Sequence, residues 1–201
     1  MDFFDWFQVA GLALFIGMAM GRTVATRIRH RVNTFLPGRS SRLAFPLFIL
    51  TNVWAFEVLF FVLPVGFRIF PSPFHILLLD WLPLKFAGTA LVVVGFCLNI
   101  AAHIALGESW RLGIDENRPG RLVTTGVYRF TRNPIYLFFG LYFCGTFLIN
   151  GTLFFLGFWI LGAVLLHLLT LQEERFLARV HGPAFAEYRT RTPRYIGLAR
   201  N

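Results

Sequence analysis

The sequence predicts an all-α integral membrane protein with about five transmembrane helices, an external N-terminus, and a cytoplasmic C-terminus with amphipathic tail helices. Its 201 residues are 56% hydrophobic and only 14% charged, with a mean hydropathy of +0.63. A soluble domain of this length would carry far more surface charge. Because several apolar runs share one short chain, we expect a single membrane domain over residues 1–201.

Five apolar runs have the length and continuity of membrane-spanning helices, which need roughly 20 residues. They lie at 3–20, 43–63, 84–106, 135–149 and 152–171. Strands are disfavoured, because an open sheet in lipid would leave backbone groups unpaired. The short sequence Asn150-Gly151-Thr152 separates the last two runs. We therefore expect these two to form a tight helical hairpin.

The arginines predict the orientation of the chain. Six lie within 22–42, five within 107–133 and six after residue 171, which together are 17 of the 19 basic residues. The positive side of a membrane protein faces the cytoplasm. Although the net charge is +9, its spread between apolar runs does not indicate a nucleic-acid partner. The use of 18 arginines and one lysine suggests a GC-rich genome, and hence a multi-pass protein of a bacterial inner membrane.

Both ends of the chain fit the predicted arrangement of membrane spans. The first residues, MDFFDWFQ, are acidic, whereas a signal peptide begins with a positive region, so we expect the first apolar run to remain as a span. In the tail, Phe176, Leu177 and Val180 fall on one helical face. The sequence His181-Gly182-Pro183 predicts a break, and a second short helix is expected over 184–189. Such a tail could lie on the membrane or fold over the cytoplasmic ends of the spans.

A polar motif, GVYRFTRNPIY, stands directly before the fourth run. Asn133 and Pro134 are favoured at the N-cap and first position of a helix, so they could simply start this span. Alternatively, the free N–H groups of that helix end could bind a carboxylate or phosphate. Arg129 and Arg132 would strengthen such an anion site, unless they only reach towards lipid headgroups.

Two adjacent carboxylates, Glu173 and Glu174, follow the fifth run. The hairpin would bring them close to Asn133. They could form surface ion pairs with Arg175, Arg179 or a loop arginine, which would contribute little stability. They could instead hold a cationic group. An anion site facing a carboxylate suits a zwitterion, such as the amino-acid end of a small molecule.

In the order of its motifs, the C-terminal half resembles membrane methyltransferases related to isoprenylcysteine carboxyl methyltransferase and to phospholipid N-methyltransferases. The family pattern is Gly-x-Tyr-Arg, then Arg-His-Pro-x-Tyr, a hairpin, Glu-Glu and a tail with Gly-x-x-x-x-x-Tyr. The resemblance covers about 106–196. Asn133 stands where the family pattern has His, and an amide does not titrate near neutral pH.

The resemblance implies that S-adenosylmethionine is the methyl donor and S-adenosylhomocysteine the product. By this similarity, residues 106–201 form the cofactor-binding half, which includes the hairpin 134–171 and the tail, while 1–105 supply scaffold and acceptor access. The implied cofactor-binding residues are Leu122, Val123, Gly126, Tyr128, Asn133, Pro134, Tyr136, Glu173 and Glu174. The sequence shows no pattern of metal ligands.

We expect the acceptor to be lipophilic, either a small molecule or a lipid, and most simply the carboxylate of an isoprenylcysteine-like compound. A carboxylate needs no general base, so Arg132 or Arg129 could position it. An amine or thiol would first lose a proton, for which Glu173, Glu174 or a loop residue could act as base. The candidate catalytic residues are therefore Arg132, Arg129 and Glu174.

Two other functions remain open at this stage. Membrane sterol reductases have a broadly similar C-terminal half and use NADPH. A non-catalytic membrane protein that binds a lipid or a partner would need no cofactor.

Several polar or small residues within the spans have two possible roles. Glu57 could be functional or could reach water, while Asn99, His103 and His167 are better explained by interhelical hydrogen bonds than by a metal. Gly17 and Gly21 form a GxxxG motif that predicts a close helix contact, either internal or between subunits.

Overall fold

The computed structural model describes residues 2–30, 51–53, 55, 76–107 and 120–197, and this part of the chain is helical without a β-strand. The helices are α1 (Phe3–His30), α2 (Leu82–Leu106), α3 (Pro134–Asn150) and α4 (Leu153–Arg191), with a 3-10 helix at Gly126–Arg129. The prediction of an all-α fold is confirmed.

The helices coincide with four of the five apolar runs. α2 and α4 are long and apolar enough to cross a membrane, whereas the apolar part of α1 (Phe3–Met18) and α3 are shorter. The second predicted span, 43–63, lies outside the described residues except for 51–53 and 55, which are helical. Glu57 and residues 108–119 of the loop 107–133 also lie outside them.

The predicted hairpin is confirmed at Gly151. This glycine adopts a left-handed conformation with φ 64°, and its N–H donates to the carbonyl of Phe147. The Gly151 carbonyl in turn accepts hydrogen bonds from the N–H groups of Leu78 and Leu79, at 2.7 and 3.0 Å. A Cβ at position 151 would lie only 1.8 Å from the Leu79 carbonyl oxygen. Both the backbone angle and the close crossing therefore require glycine.

α4 extends well past the predicted end of the fifth span at residue 171. It continues as a helix to a break at Gly182, where φ is 47° and ψ is −121°, and Pro183 follows. The predicted break is confirmed, and the tail helix before it is continuous with the fifth apolar run, because nothing interrupts the helical backbone at residue 171. After the break the chain folds over the start of α3, and the Tyr188 hydroxyl donates to the Tyr128 carbonyl at 2.7 Å.

The closest helix contact lies between α2 and α3. A Cβ built on Gly88 would lie 2.5 Å from the carbonyl oxygen of Gly145, and one built on Gly145 would lie 2.6 Å from that of Gly88. Small residues allow helix backbones to approach in this way. By contrast, the GxxxG pair Gly17 and Gly21 is exposed on α1 and makes no close contact within the described structure.

An aromatic core joins α1 to these two helices. Phe138 of α3 is fully buried and lies 5.4 Å, ring centre to ring centre, from Phe96 of α2 and 6.0 Å from Phe15 of α1. At the hairpin end, Gln8 and Asn150 exchange side-chain hydrogen bonds at 2.6 and 3.3 Å. The start of α3 and the C-terminal part of α4 lie at the opposite end of the hairpin. Their polar residues form the candidate site.

We predict that Gly145→Ala lowers the melting temperature of the detergent-purified protein. The new methyl group would overlap the Gly88 carbonyl and Val92, and overpacking of this kind costs about 1–3 kcal/mol. Gly157→Ala is the matched control, because a Cβ there meets nothing within 4 Å. Equal melting temperatures for the two variants would contradict the close contact.

Candidate functional site

A buried carboxylate, Glu174, forms the centre of the polar end of the molecule. It is 6% exposed and lies on α4 just beyond the apolar run. Arg132 contacts Oε1 through Nε and Nη2, at 3.1 and 2.9 Å. Arg194 contacts Oε2 through Nε and Nη2, at 3.1 and 2.8 Å. Each carboxylate oxygen thus receives one guanidinium, and we call this arrangement the Glu174 clamp.

The clamp ties the chain before α3 to the tail. Arg132 also donates from Nη1 to the carbonyls of Arg189 and Thr192, at 3.1 and 2.8 Å, and from its backbone N–H to the Pro193 carbonyl at 3.0 Å. Nε, Nη1 and Nη2 of Arg132 are therefore all engaged. Three segments that are far apart in sequence meet at this one side chain.

Asn133 occupies the predicted N-cap position of α3, with Pro134 in the first turn, but its side chain does not cap the helix. Instead its Nδ2 donates to Glu174 Oε1 at 3.3 Å and to the Arg194 carbonyl at 3.2 Å. The helix start is confirmed, while the Asn133 amide nitrogen joins the Glu174 clamp by donating a charge-assisted hydrogen bond to the carboxylate.

The pKa of Glu174 reflects this environment. Burial acts to raise it, but the hydrogen bond from Arg194 and the charge of Arg132 outweigh burial and hold it below the ordinary value for a glutamate. Glu174 is therefore ionised and electrically compensated.

Its neighbour Glu173 is in a different environment. Burial raises the pKa of Glu173, a hydrogen bond with the Tyr136 hydroxyl lowers it, and the charge of Glu174 raises it, with a net upward shift. Glu173 also acts electrostatically on Tyr128, whose pKa is raised mainly by burial. A phenol rather than a guanidinium faces this carboxyl group, so it keeps the capacity to hold a cation or to exchange a proton.

Before α3, the 3-10 helix places Tyr128 in the interior, and it is 8% exposed. Gly126 has φ 62°, and a Cβ there would lie 3.1 Å from the Ala105 side chain at the end of α2. This glycine therefore allows the loop to pass close to α2. Leu122 and Val123 precede it in an irregular, half-buried segment.

The structure brings most of the sequence-predicted residues into two adjacent groups. Arg132, Asn133 and Glu174 belong to the Glu174 clamp. Tyr128 and Tyr136 interact with the carboxyl group of Glu173 and form the second group with it. Pro134 is buried at the start of α3. Among the described residues, Leu122 and Val123 belong to neither group, and Arg129 is exposed and contributes only its carbonyl, which accepts a 3.4 Å hydrogen bond from Thr192.

Sequence reasoning missed the tail residues that complete this arrangement. Arg194 supplies the second guanidinium, Tyr188 anchors the 3-10 helix, and Tyr195 lies 3.1 Å from Nδ1 of His167 on α4. Tyr188 is the tyrosine of the Gly-x-x-x-x-x-Tyr pattern, which was a usable signal. Nothing in the spacing distinguished Arg194 from the other tail arginines.

Comparison with models of known protein families identifies a matching family. A family model described as phospholipid methyltransferase matches residues 84–184, which is half of the chain. The match begins in α2 and ends just after the break in α4, so it contains all the implied cofactor-binding residues but not Arg194 or Tyr195. No curated protein matches the chain.

We predict that Glu174→Ala detaches the tail. The substitution leaves two guanidinium groups without their shared partner, and breaking a buried ion pair costs about 3–5 kcal/mol. Hydrogen exchange of residues 192–197 should rise sharply. The matched control is Glu187→Ala on the same helix, because the Glu187–Arg191 pair is exposed and such pairs contribute about 0–1 kcal/mol. Unchanged exchange in the Glu174 variant would refute the clamp.

We also predict a loss of tail attachment in acid. Because the folded-state pKa of Glu174 is lowered, its contribution is complete above the ordinary glutamate pKa and disappears as the pH falls through the lowered value. Exchange of residues 192–197 should therefore increase on acidification below pH about 4. In Glu174→Gln this acid dependence should be largely absent. An equally steep dependence in that variant would assign it to another group.

Proposed function

Since the chain belongs to the phospholipid methyltransferase family, a family of membrane methyltransferases, we propose that it transfers a methyl group from S-adenosylmethionine to a lipophilic acceptor at the cytoplasmic face of a membrane. The observation that carries this proposal is the pair of unlike carboxylates, Glu173 and Glu174, beside the start of α3. One is neutralised by two guanidinium groups and the other faces a phenol.

The donor set fits the amino-acid end of S-adenosylmethionine. Glu173 offers a carboxyl group to an ammonium, and the first-turn N–H groups of α3 offer donors to a carboxylate. Tyr128, Tyr136 and the loop around Gly126 would form the walls. When bound, the cofactor supplies an activated sulfonium methyl group, so the residues of the chain need only align the acceptor and exclude water.

The Glu174 clamp changes the roles that we expected for Arg132 and Arg129 from the sequence. Arg132 uses Nε, Nη1 and Nη2 within the protein, so in this proposal it holds the tail over the start of α3 together with Glu174. The exposed Arg129 is then the guanidinium best able to position the carboxylate of an isoprenylcysteine-like acceptor. For an amine or thiol acceptor, Glu173 is a better base than the compensated Glu174.

The polar end of the molecule supports the proposed side of the membrane. The 3-10 helix, the start of α3 and the folded tail gather there, at the opposite end of the hairpin from Gly151. Arg129, Arg132 and the described tail arginines from Arg175 to Arg194 belong to this end, which supports a cytoplasmic location under the positive-inside rule. We propose a multi-pass protein of a bacterial inner membrane, with an external N-terminus.

Membership of the family favours methyl transfer over the two other functions considered. An NADPH-dependent reductase of the sterol reductase type would bind the nicotinamide cofactor in this half of the chain. A non-catalytic lipid or partner binder would bind neither cofactor.

We predict that S-adenosylhomocysteine, and not NADPH, raises the melting temperature of the purified protein. Glu173→Ala should abolish the shift, because the ammonium loses its carboxylate, and Tyr136→Phe should weaken it by removing the hydroxyl that orients Glu173. Glu187→Ala, on an exposed surface of the same helix, should keep it.

The same preparation, given S-adenosylmethionine with a labelled methyl group and a lipid extract, should yield labelled lipophilic product. Stabilisation by NADPH alone, or full S-adenosylhomocysteine binding by Glu173→Ala, would overturn the proposal or its site assignment respectively.

A further inference from the structure

His167 is an ionisable residue inside the apolar run of α4. It stands four residues before the end of that run at residue 171, which is about 6 Å along the helix axis, and its side chain is exposed. Val164, one turn further into the run on the same face, is exposed and apolar. An ionisable side chain at such a position of a span is costly, and residues of this kind commonly serve a function.

The tail holds one nitrogen of the His167 ring. The Tyr195 hydroxyl lies 3.1 Å from Nδ1, and the two ring centres are 6.0 Å apart. Seven residues separate His167 from Glu174, so the two side chains lie on one face of α4, nearly two turns apart. Arg194 contacts Glu174, and the next residue of the tail reaches His167. The Glu174 clamp therefore brings the tyrosine to the histidine.

This pair of rings adjoins the proposed donor site. Tyr195 lies close enough to Tyr136 to act on it electrostatically, and the Tyr136 hydroxyl shares a hydrogen bond with Glu173. In the proposed function, Glu173 holds the ammonium of S-adenosylmethionine. His167 lies six residues before Glu173, a helix rise of about 9 Å towards the apolar part of α4. A lipophilic acceptor would approach the donor from that side.

The contact with Tyr195 determines what the other ring nitrogen can do. A phenolic O–H is more acidic than the N–H of a neutral imidazole and is the better donor, so we assign the hydroxyl as donor to Nδ1 and the ring proton to Nε2. A protonated ring would also carry a hydrogen on Nε2. Among the described residues, Nε2 of His167 has no hydrogen-bond partner. The ring thus offers an N–H donor, and a carboxylate oxygen is its strongest complement.

We propose that His167 is an acceptor-binding residue, whose Nε2–H donates a hydrogen bond to the carboxylate of the methyl acceptor. This inference rests on the proposed function and narrows the acceptor to a carboxylic acid with an apolar body. One carboxylate oxygen accepts the hydrogen bond and the other forms the bond to the methyl carbon. The carbon–sulfur bond of the donor breaks and its electron pair stays on sulfur. No proton moves, so the step needs no base.

The test uses the full chain in detergent, S-adenosylmethionine with a labelled methyl group, and S-farnesyl-N-acetylcysteine as a defined isoprenylcysteine-like carboxylate. His167→Leu should raise KM for this acceptor about tenfold or more and change kcat little, because a hydrogen bond to a charged group is lost. His167→Gln should keep KM within about threefold, because its amide nitrogen reaches the position of Nε2.

Two further variants test the geometry. His167→Asn should behave like His167→Leu, because its amide is one bond shorter and does not reach the position of Nε2. Tyr195→Phe no longer fixes the ring proton, so it should raise KM less than His167→Leu does. His181→Leu is the matched control, since it replaces the other histidine of α4, at the break, and should leave KM within about twofold.

Binding of S-adenosylhomocysteine separates this inference from the proposed function. Every variant should keep the rise in melting temperature with S-adenosylhomocysteine, because His167 contacts the acceptor and not the donor. Absence of this rise in the unsubstituted protein would contradict the proposed function itself. Its presence in the unsubstituted protein and loss in His167→Leu would place the imidazole in the donor site and overturn the present proposal.

Three other results would overturn the proposal. An unchanged KM in His167→Leu would show that the imidazole only supports the tail. A fall in kcat as large in His167→Gln as in His167→Leu would identify a base, and hence an amine or thiol acceptor. Failure to methylate the carboxylate probe, in protein that binds S-adenosylhomocysteine, would refute the acceptor class, and labelling of phosphatidylethanolamine instead would show an amine acceptor.

Discussion

The arrangement of the polar end depends on the buried ion pairs of Glu174. One carboxylate, 6% exposed, receives guanidinium groups from Arg132, just before α3, and from Arg194, in the tail. Desolvating a charge is costly, so this geometry persists only because both carboxylate oxygens and the Nε, Nη1 and Nη2 groups of Arg132 find partners. The backbone contacts of Arg132 to residues 189, 192 and 193 then fix the path of the tail over the start of α3.

Glu173 differs chemically from Glu174, whose charge is compensated by Arg132 and Arg194. Adjacent residues on a helix point about 100° apart, so Glu173 faces Tyr136 while Glu174 faces two arginines. One pKa is consequently raised and the other lowered within a single dipeptide. In this arrangement Glu174 stabilises the fold, while Glu173 remains available to a ligand. Asn133, in place of the histidine of the family pattern, suits the first task, since an amide can serve the carboxylate and a backbone carbonyl at once.

α4 unites the roles proposed for the molecule. Its apolar part packs against α3 through an aromatic core, in which Phe143 and Phe158 lie 5.8 Å apart. Past residue 171 the same helix presents Glu173 and Glu174 to the interior and Arg175 and Arg179 to the outside. A continuous helix can do this because its faces are set by residue spacing alone.

The sequence by itself determined the helical class, the positions of four apolar helices, the turn at Gly151, the break at Gly182 and the start of α3 at Pro134. These features are local, because they depend on apolar run length and on the backbone preferences of glycine and proline. It also pointed to Arg132, Asn133 and the Glu pair. Only the tertiary structure decided which arginines meet Glu174, that Asn133 does not cap its helix, and that Gly88 and Gly145, rather than the GxxxG pair of α1, form the close contact. These contacts join segments that lie up to about sixty residues apart in the sequence. A short-range sequence pattern does not show which distant segments will meet.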